Sequence, residues 1–383
     1  MSTSIPCTIL RGGTSKGVYL READLPTGAK ERQATILAIF GSPDKRQIDG
    51  LGGADPLTSK VCIVGPPPVA GPGKYADLSY TFGQVEIDEP SVDFRSLCGN
   101  LTSGVGAFAI WDGLVPPVPP MTSVRVYNTN LDSILIVEVP VSDGRPLESG
   151  DFVIAGVPSS GAKINVDFAD TSGASAGALL PTGNPCDRLD IAGFGKIDVS
   201  MVDIGNAHAF VRAADLGRSG TETASSIDAD AELCWILERI RAHAGVAMGM
   251  IDDPDRAAEI SPATPFIAMI APPQDYENVI GGKYVTAEES QFLSRLMFMQ
   301  QMHKTYAGTS TVCTGVASRI PGTIVHEARR PSDRDHMIVR IGHPAGVIET
   351  ESALDIDGDA HVVTRATLGR TARRIMKGTV YIS

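Results

Sequence analysis

The chain has 383 residues, room for two domains, with 43% hydrophobic and 20% charged content, as in ordinary globular proteins. A formal charge of −12 argues against nucleic acid or an anionic membrane as partner, since both need a basic face, but leaves room for a small anionic substrate met by a local group of Arg and Lys. The N-terminus MSTSIPCTIL has no signal-peptide pattern, no run reaches about 18 apolar residues, and six scattered cysteines form no CxxC pair. The expectation is a cytosolic protein with free thiols, no metal and no membrane span.

In chain order, residues 5–10 and 18–20 read as strands around the turn RGGTSKG (Arg11–Gly17). A helix is expected over Lys30–Phe40, with Ile36, Leu37 and Phe40 inward and Gly41 as its stop. A strand at Val61–Val64 follows the segment GADPLTSK, which ends at Lys60, and residues 70–74 read as a loop. Strands are expected at Leu78–Phe82 and Gln84–Ile87, then a pair at VRVYNTN and SILIVEVPV. Residues 99–111 read as a buried helix despite three glycines, each costing about 1 kcal/mol of propensity.

The turn-rich LPTGN at 180–184 marks a domain boundary. Strands follow at 195–204 and 209–212, then a helix at Asp228–His243 with Leu233, Leu237 and Ile240 inward. A second helix is expected at Glu288–Tyr306, opened by the capping box Thr286–Glu289. Cys313 is expected to open a short small-residue helix, and strands at Met337–Ile341 and Thr379–Ile382 close the chain. A cysteine-led helix in each half suggests a duplicated α+β unit.

Four groups of residues carry chemistry, and each has a plainer reading. RGGTSKG fails the phosphate-loop pattern, but it packs two cations and two hydroxyls into seven residues, which suits a carboxylate; its plainer reading is a polar hairpin turn. Lys60 is a base if its stem lies in an apolar wall, and an exposed strand-start lysine otherwise. Cys98 stands where a helix N-terminus would activate a thiol and bind a carboxylate, or it is a buried core cysteine. Asn206 and His208, in GNAHAF, follow a strand and could hydrogen-bond a substrate, or simply satisfy the core. Cys7, Cys62, Cys186 and Cys234 are expected in packing or at the surface, and His303, His326 and His343 as structural or exposed.

Seven segments together resemble the PrpF family, of diaminopimelate-epimerase-like fold: RGGTSKG, QIDGLGGADPLTSK, FGQVEID, CGNLTSGVGAFAI, LMFMQQMHKTYAGTSTVCTG, RIPGTIV and RIGHPAGVI. The resemblance implies an α+β fold of two pseudo-symmetric domains, each a curved, mainly antiparallel sheet round a central helix, with the site in the cleft between them. The implied domains are 1–184 with strand 370–383, carrying Lys60 and Cys98, and 185–369, carrying Cys313. The family moves protons on small unsaturated di- or tricarboxylates without a cofactor, and GADPLTSK and HKTYAGT are most similar to its 3-methylitaconate Δ-isomerase branch.

By resemblance Lys60, Cys98 and Ser15 stand at the reacting substrate. The substrate's carboxylates are expected to meet Arg11, Thr14, Lys16, Asn100, Leu101, Thr102, Ser103, Asn206, His208, Ser310, Thr311, Cys313 and Thr314. GNAH is similar to the epimerases' GNPH, and Cys313 falls near their second cysteine. The implied reaction is a 1,3-allylic proton shift. Cis-trans isomerisation of 2-methylaconitate, a non-catalytic tricarboxylate-binding accessory role and a two-thiol racemase are the alternatives. The oligomeric state stays open.

Overall fold

The computed structural model describes residues 3–94, 97–154, 156–279, 282–298, 300–358 and 360–382. It divides into two compact units: unit 1 is Met1–Asp167 with Gly369–Ser383, and unit 2 is Phe168–Leu368. The LPTGN turn therefore lies inside unit 2. Among the described residues no helix is long and apolar enough to cross a membrane.

In unit 1 the strands lie in the order Ala372–Ile382, Thr3–Gly12, Ser15–Arg21, Lys60–Gly65, Leu78–Val85, Met121–Asn128, Ser133–Ser142, Ile164–Asp167. Two neighbouring pairs are parallel, Ser15–Arg21 with Lys60–Gly65 and Leu78–Val85 with Met121–Asn128; the others are antiparallel. Leu78–Val85 is one continuous strand where two were expected, because Gly83 keeps its place in the ladder opposite Val61.

A helix spans Gly99–Trp111, and all of its residues except Asn100 and Trp111 are buried. It touches both the first and the last strand of the order, so the sheet curls around it. Its glycines permit this. A Cβ at Gly106 would stand 2.8 Å from methyls of Val137 and Val139, and one at Gly104 would stand 2.4 Å from the Tyr19 hydroxyl. On the sheet's other face the Ala29–Phe40 helix seats Ile36, Ile39 and Phe40 among Val18, Leu20, Val61 and Ile63. Gly41 ends this helix in the left-handed region at φ 71°.

Unit 2 repeats the plan. Its order is Asp187–Ile191, Gly195–Ile204, Asn206–Arg212, Phe266–Ala271, Phe292–Phe298, Ile338–His343, Gly346–Asp357, Ala360–Arg370, the last strand's final two residues belonging to unit 1, with the same two places parallel. The Ala231–Ala247 helix, capped by Asp230 and seated through Leu233, Leu237 and Ile240, corresponds to Ala29–Phe40. The buried Gly308–Ala317 helix corresponds to Gly99–Trp111, since each joins the fifth strand of its order to the sixth.

Two expectations fail here. The capping box Thr286–Glu289 exists but opens a single turn, and Phe292–Phe298 is a strand, not a helix. It lies between Phe266–Ala271 and Ile338–His343 and is buried on both faces from Phe292 to Met297. A doubly buried strand is a continuous apolar run that periodicity cannot tell from a helix. Cys313 does not open its helix either. The helix starts at Gly308, and Cys313 lies in its middle with Sγ donating to the Val202 carbonyl at 3.4 Å.

Candidate active site

Strand alternation sorts the residues of unit 1. Ideal Cβ positions at Gly12 and Gly17 point at Asn100 and Leu101 of the central helix. Ser15 pairs with Gly12, and Lys60 stands beside Gly17 in the parallel register, so both share that inner face. Arg11 and Lys16, also paired with each other, take the opposite face. Arg11 donates to the Gly13 carbonyl at 3.0 Å and to the carbonyl and hydroxyl of Thr371 at 3.0 and 2.9 Å, which pins the hairpin end to the C-terminal strand. The structure thus brings Ser15 and Lys60 together on the inner face but not Arg11 or Lys16.

Lys60 is the first residue of its strand and only 8% exposed, which removes the reading of a solvated lysine. Its ammonium donates to Gln84 Oε1, directly across the antiparallel pair, and lies 5.3 Å from the Phe82 ring centroid. The Gln84 amide cannot turn. Its Nε2 donates to the carbonyls of Pro56 and Ser59, both at 3.1 Å, so Oε1 must face the lysine. Among the described residues no carboxylate forms an ion pair with Lys60. The GADPLTSK loop is held by Gln47, whose Oε1 accepts from Ser59 Oγ at 2.6 Å and from Ala54 N at 2.8 Å.

Cys98 is the N-cap of the central helix and partly exposed, and its carbonyl accepts from Thr102 N and Oγ1 at 3.0 and 2.9 Å. The N–H groups of Gly99, Asn100 and Leu101 come before that first helical bond, so they form the donor end of the helix. The side chains of the first turn are mostly spent within it. Ser103 Oγ donates to the Asn100 carbonyl at 2.7 Å, Leu101 packs on Gly17, and the Leu101 carbonyl accepts the Tyr19 hydroxyl at 2.5 Å. Leu101 and Ser103 can therefore offer only backbone groups.

Asn100 is the exception. Its Nδ2 donates to Thr14 Oγ1 at 3.0 Å, and its Oδ1 accepts from Arg370 Nε at 2.8 Å. Ser15 Oγ is buried and, among the described residues, has no hydrogen-bond partner. Behind the site, burial pushes the Cys62 thiol and the Tyr19 and Tyr80 hydroxyls up, so these groups stay protonated and neutral.

Two residues here escape sequence reasoning. Gln84 stands inside FGQVEID, so strand pairing opposite Lys60 could have pointed to it. Arg370 is 270 positions from Asn100 and has no local signal.

In unit 2, Asn206 and His208 lie within a strand rather than after one. Asn206 Nδ2 donates to Thr309 Oγ1 at 2.6 Å. His208 Nδ1 is 2.8 Å from the Asn206 carbonyl, which only accepts, so Nδ1 carries the proton. Nε2 then accepts from the Ser310 hydroxyl at 2.7 Å. Burial lowers the imidazole pKa to about 4, which keeps it neutral. Thr311 Oγ1 donates to the Ala307 carbonyl at 2.9 Å, and Thr314 Oγ1 hydrogen-bonds Tyr306 at 2.8 Å, with Tyr306 in turn 2.7 Å from Ser294 Oγ.

The two helix starts correspond residue by residue. Thr311 caps back to Ala307 as Thr102 does to Cys98, so the counterpart of Cys98 is Ala307 and not Cys313. Cys313 is fully buried, and burial pushes its thiol well up. A pair of matched thiols, as a two-thiol racemase needs, is not what the duplicated fold provides.

A model of the PrpF protein family matches residues 2–383. The chain is 50% identical to the 3-methylitaconate isomerase of Eubacterium barkeri, over 99% of this chain and 97% of that protein. It is 38% identical to the 2-methyl-aconitate isomerase of Shewanella oneidensis, over 99% and 96%. A crystal structure of methylitaconate-delta-isomerase superposes with a TM-score of 0.89 at 49% identity, covering 100% of this chain and 96% of that one. With its duplicated α+β fold and its run of isomerase relatives, the chain belongs to the PrpF family of isomerases.

Proposed function

We propose that this isomerase migrates a double bond in a small unsaturated di- or tricarboxylate of the 3-methylitaconate type by a 1,3-allylic proton shift. The observation that carries the reading is Lys60: a buried amine, held by an amide instead of a carboxylate, on the sheet face that meets the donor end of the central helix. In the unprotonated state the amine takes the proton from the allylic carbon. That C–H pair becomes the new C=C bond, and the old double bond's electrons move onto the conjugated carboxylate as a dienolate. Lys60 ammonium then returns a proton two carbons away. The Gly99–Leu101 N–H groups and Ser15 supply preorganised donors for the enolate oxygens. Cys98 serves as a second proton carrier or positions the substrate.

The 50% identical relative named for 3-methylitaconate favours that substrate over 2-methylaconitate. The experiment is proton NMR of purified protein in deuterated water with 3-methylitaconate, aconitate, 4-oxalomesaconate and 2-methylaconitate. The expected result is loss of vinyl signals with deuterium entering the product. Lys60→Ala should lower kcat by about 10²–10⁴, the usual contribution of a general base. Full rate in Lys60→Ala with no solvent deuterium in the product would sink the proposal.

A further inference from the structure

Arg370 carries a charge that no described carboxylate of unit 1 balances. Its side chain is 4% exposed. Nε donates to Asn100 Oδ1 and Nη1 to the Gly369 carbonyl at 2.9 Å, and both acceptors are neutral. Among the described residues no carboxylate is paired with it, and the titratable neighbour acting on it is the Cys98 thiol. A guanidinium does not shed its proton, so burying it without an anion is costly. The cost is compounded by location, since Asn100 stands in the first turn of a helix whose positive end is the other unbalanced feature of this unit.

The surroundings are built around this pair. Asn100 cannot flip, because Arg370 Nε can only donate and so requires Oδ1 on its side, while Thr14 Oγ1 accepts from Nδ2. Gly13, at φ 51°, leaves the space: a Cβ there would stand 2.2 Å from Asn100 Oδ1 and 2.8 Å from Arg370 Cδ. Independently, Ser15 is 1% exposed and faces the same helix turn, and among the described residues its Oγ has no partner. A fixed cation, a helix donor end and an orphaned hydroxyl converging on one turn describe a receptor for a planar anion with two oxygens.

We infer that Arg370, oriented by Asn100, clamps a carboxylate of the substrate over the first turn of the Gly99–Trp111 helix. This deepens the proposed reaction by naming the residue that holds the acid, and it rests on that reading only for what the acid is. The carboxylate is the counter-ion that the buried guanidinium lacks, and Ser15 donates to it.

The test uses the whole protein and methylsuccinate, a saturated dicarboxylate that cannot isomerise. Calorimetry should show Arg370→Met weakening methylsuccinate binding by about 10- to 100-fold, the value of a charge-assisted contact, with Arg370→Lys between. One of the two methylsuccinate monoamides should bind wild type more weakly than the diacid, and that difference should vanish in Arg370→Met; a merely structural arginine would not produce this. Asn100→Asp sets a carboxylate beside the guanidinium, so it should raise the urea midpoint while weakening methylsuccinate. Wild type that ignores methylsuccinate at millimolar concentration, or Arg370→Met binding within twofold of wild type, overturns the inference. If Arg370→Met does not fold, unchanged binding in Asn100→Asp overturns it instead. Binding that depends on Arg370 in a protein that isomerises none of the four acids would uphold the clamp and reject the proposed reaction.

Discussion

A lysine that must give and take a proton is best held by a partner that does not prefer one of its two states strongly. Gln84 fits, since its oxygen accepts from the ammonium and carries no full charge. A carboxylate at the same place would form an ion pair that favours the ammonium over the free amine. Gln84→Glu should therefore lower kcat at neutral pH by about tenfold or more and move the rising limb of the pH–rate profile to higher pH. A rate profile unchanged from pH 6 to 10 would contradict the role given to Lys60. Residue type alone could not separate this lysine from a solvated one. The difference lies in the burial given by strand pairing with Leu78–Val85, a long-range fact.

At the scale of elements, the central helix is where sequence and structure agree best: Gly99–Trp111 was expected and is found. Its glycines carry the reason. Replacing Gly106 by Ala gains about 1 kcal/mol of helix propensity. It also drives a methyl to 2.8 Å from Val137 and Val139, which belong to a buried strand and cannot swing away. Overpacking of this kind costs about 1–3 kcal/mol. We expect the clash to win, with a lower urea midpoint for Gly106→Ala. The Phe292–Phe298 strand shows the opposite case, where apolar periodicity was ambiguous and only the two neighbouring strands decide.

The strand-to-helix link through His208 makes a pH prediction. Folded His208 has its pKa pushed down from 6.5 to about 4 by burial, while the unfolded chain keeps the ordinary value. Between these values the unfolded state binds more protons, so stability falls as pH drops from about 6.5 to about 4 and is fully present above. At 1.36 kcal/mol per unit the loss is about 3 kcal/mol. His303 and His326 are shifted down by burial as well, so the His208 share is the difference between wild type and His208→Gln. Urea midpoints at pH 7.5 and 4.5 should differ less in His208→Gln, and an equal difference would remove His208 from the account.

Across the whole molecule, one topology is used twice with different chemistry. Unit 1 begins its fourth strand with Lys60, next to Gly17 and opposite Gln84. Unit 2 begins the corresponding strand with Phe266, next to His208 and packed on Phe298 with ring centroids 5.0 Å apart. The helix cap is Cys98 in one and Ala307 in the other. Duplication was legible in the sequence as two cysteines in small-residue helices, but that cue matched the wrong residues, because Cys313 lies five positions past the helix start at Gly308. On the reaction proposed for Lys60 the proton carriers belong to unit 1, and Cys313 should be dispensable to the chemistry. Cys313→Ala should keep kcat within about twofold while costing about 1 kcal/mol of stability for the lost buried sulfur. Cys98→Ser replaces the thiol with a residue favoured at helix N-caps, so it should keep the stability. It should nonetheless lose at least about 10² in kcat if the thiol carries a proton. Measured together by NMR rate and urea melt, the two variants separate a thiol that acts from a thiol that packs. Equal losses of rate in both would restore a two-thiol mechanism and overturn the dispensability of Cys313.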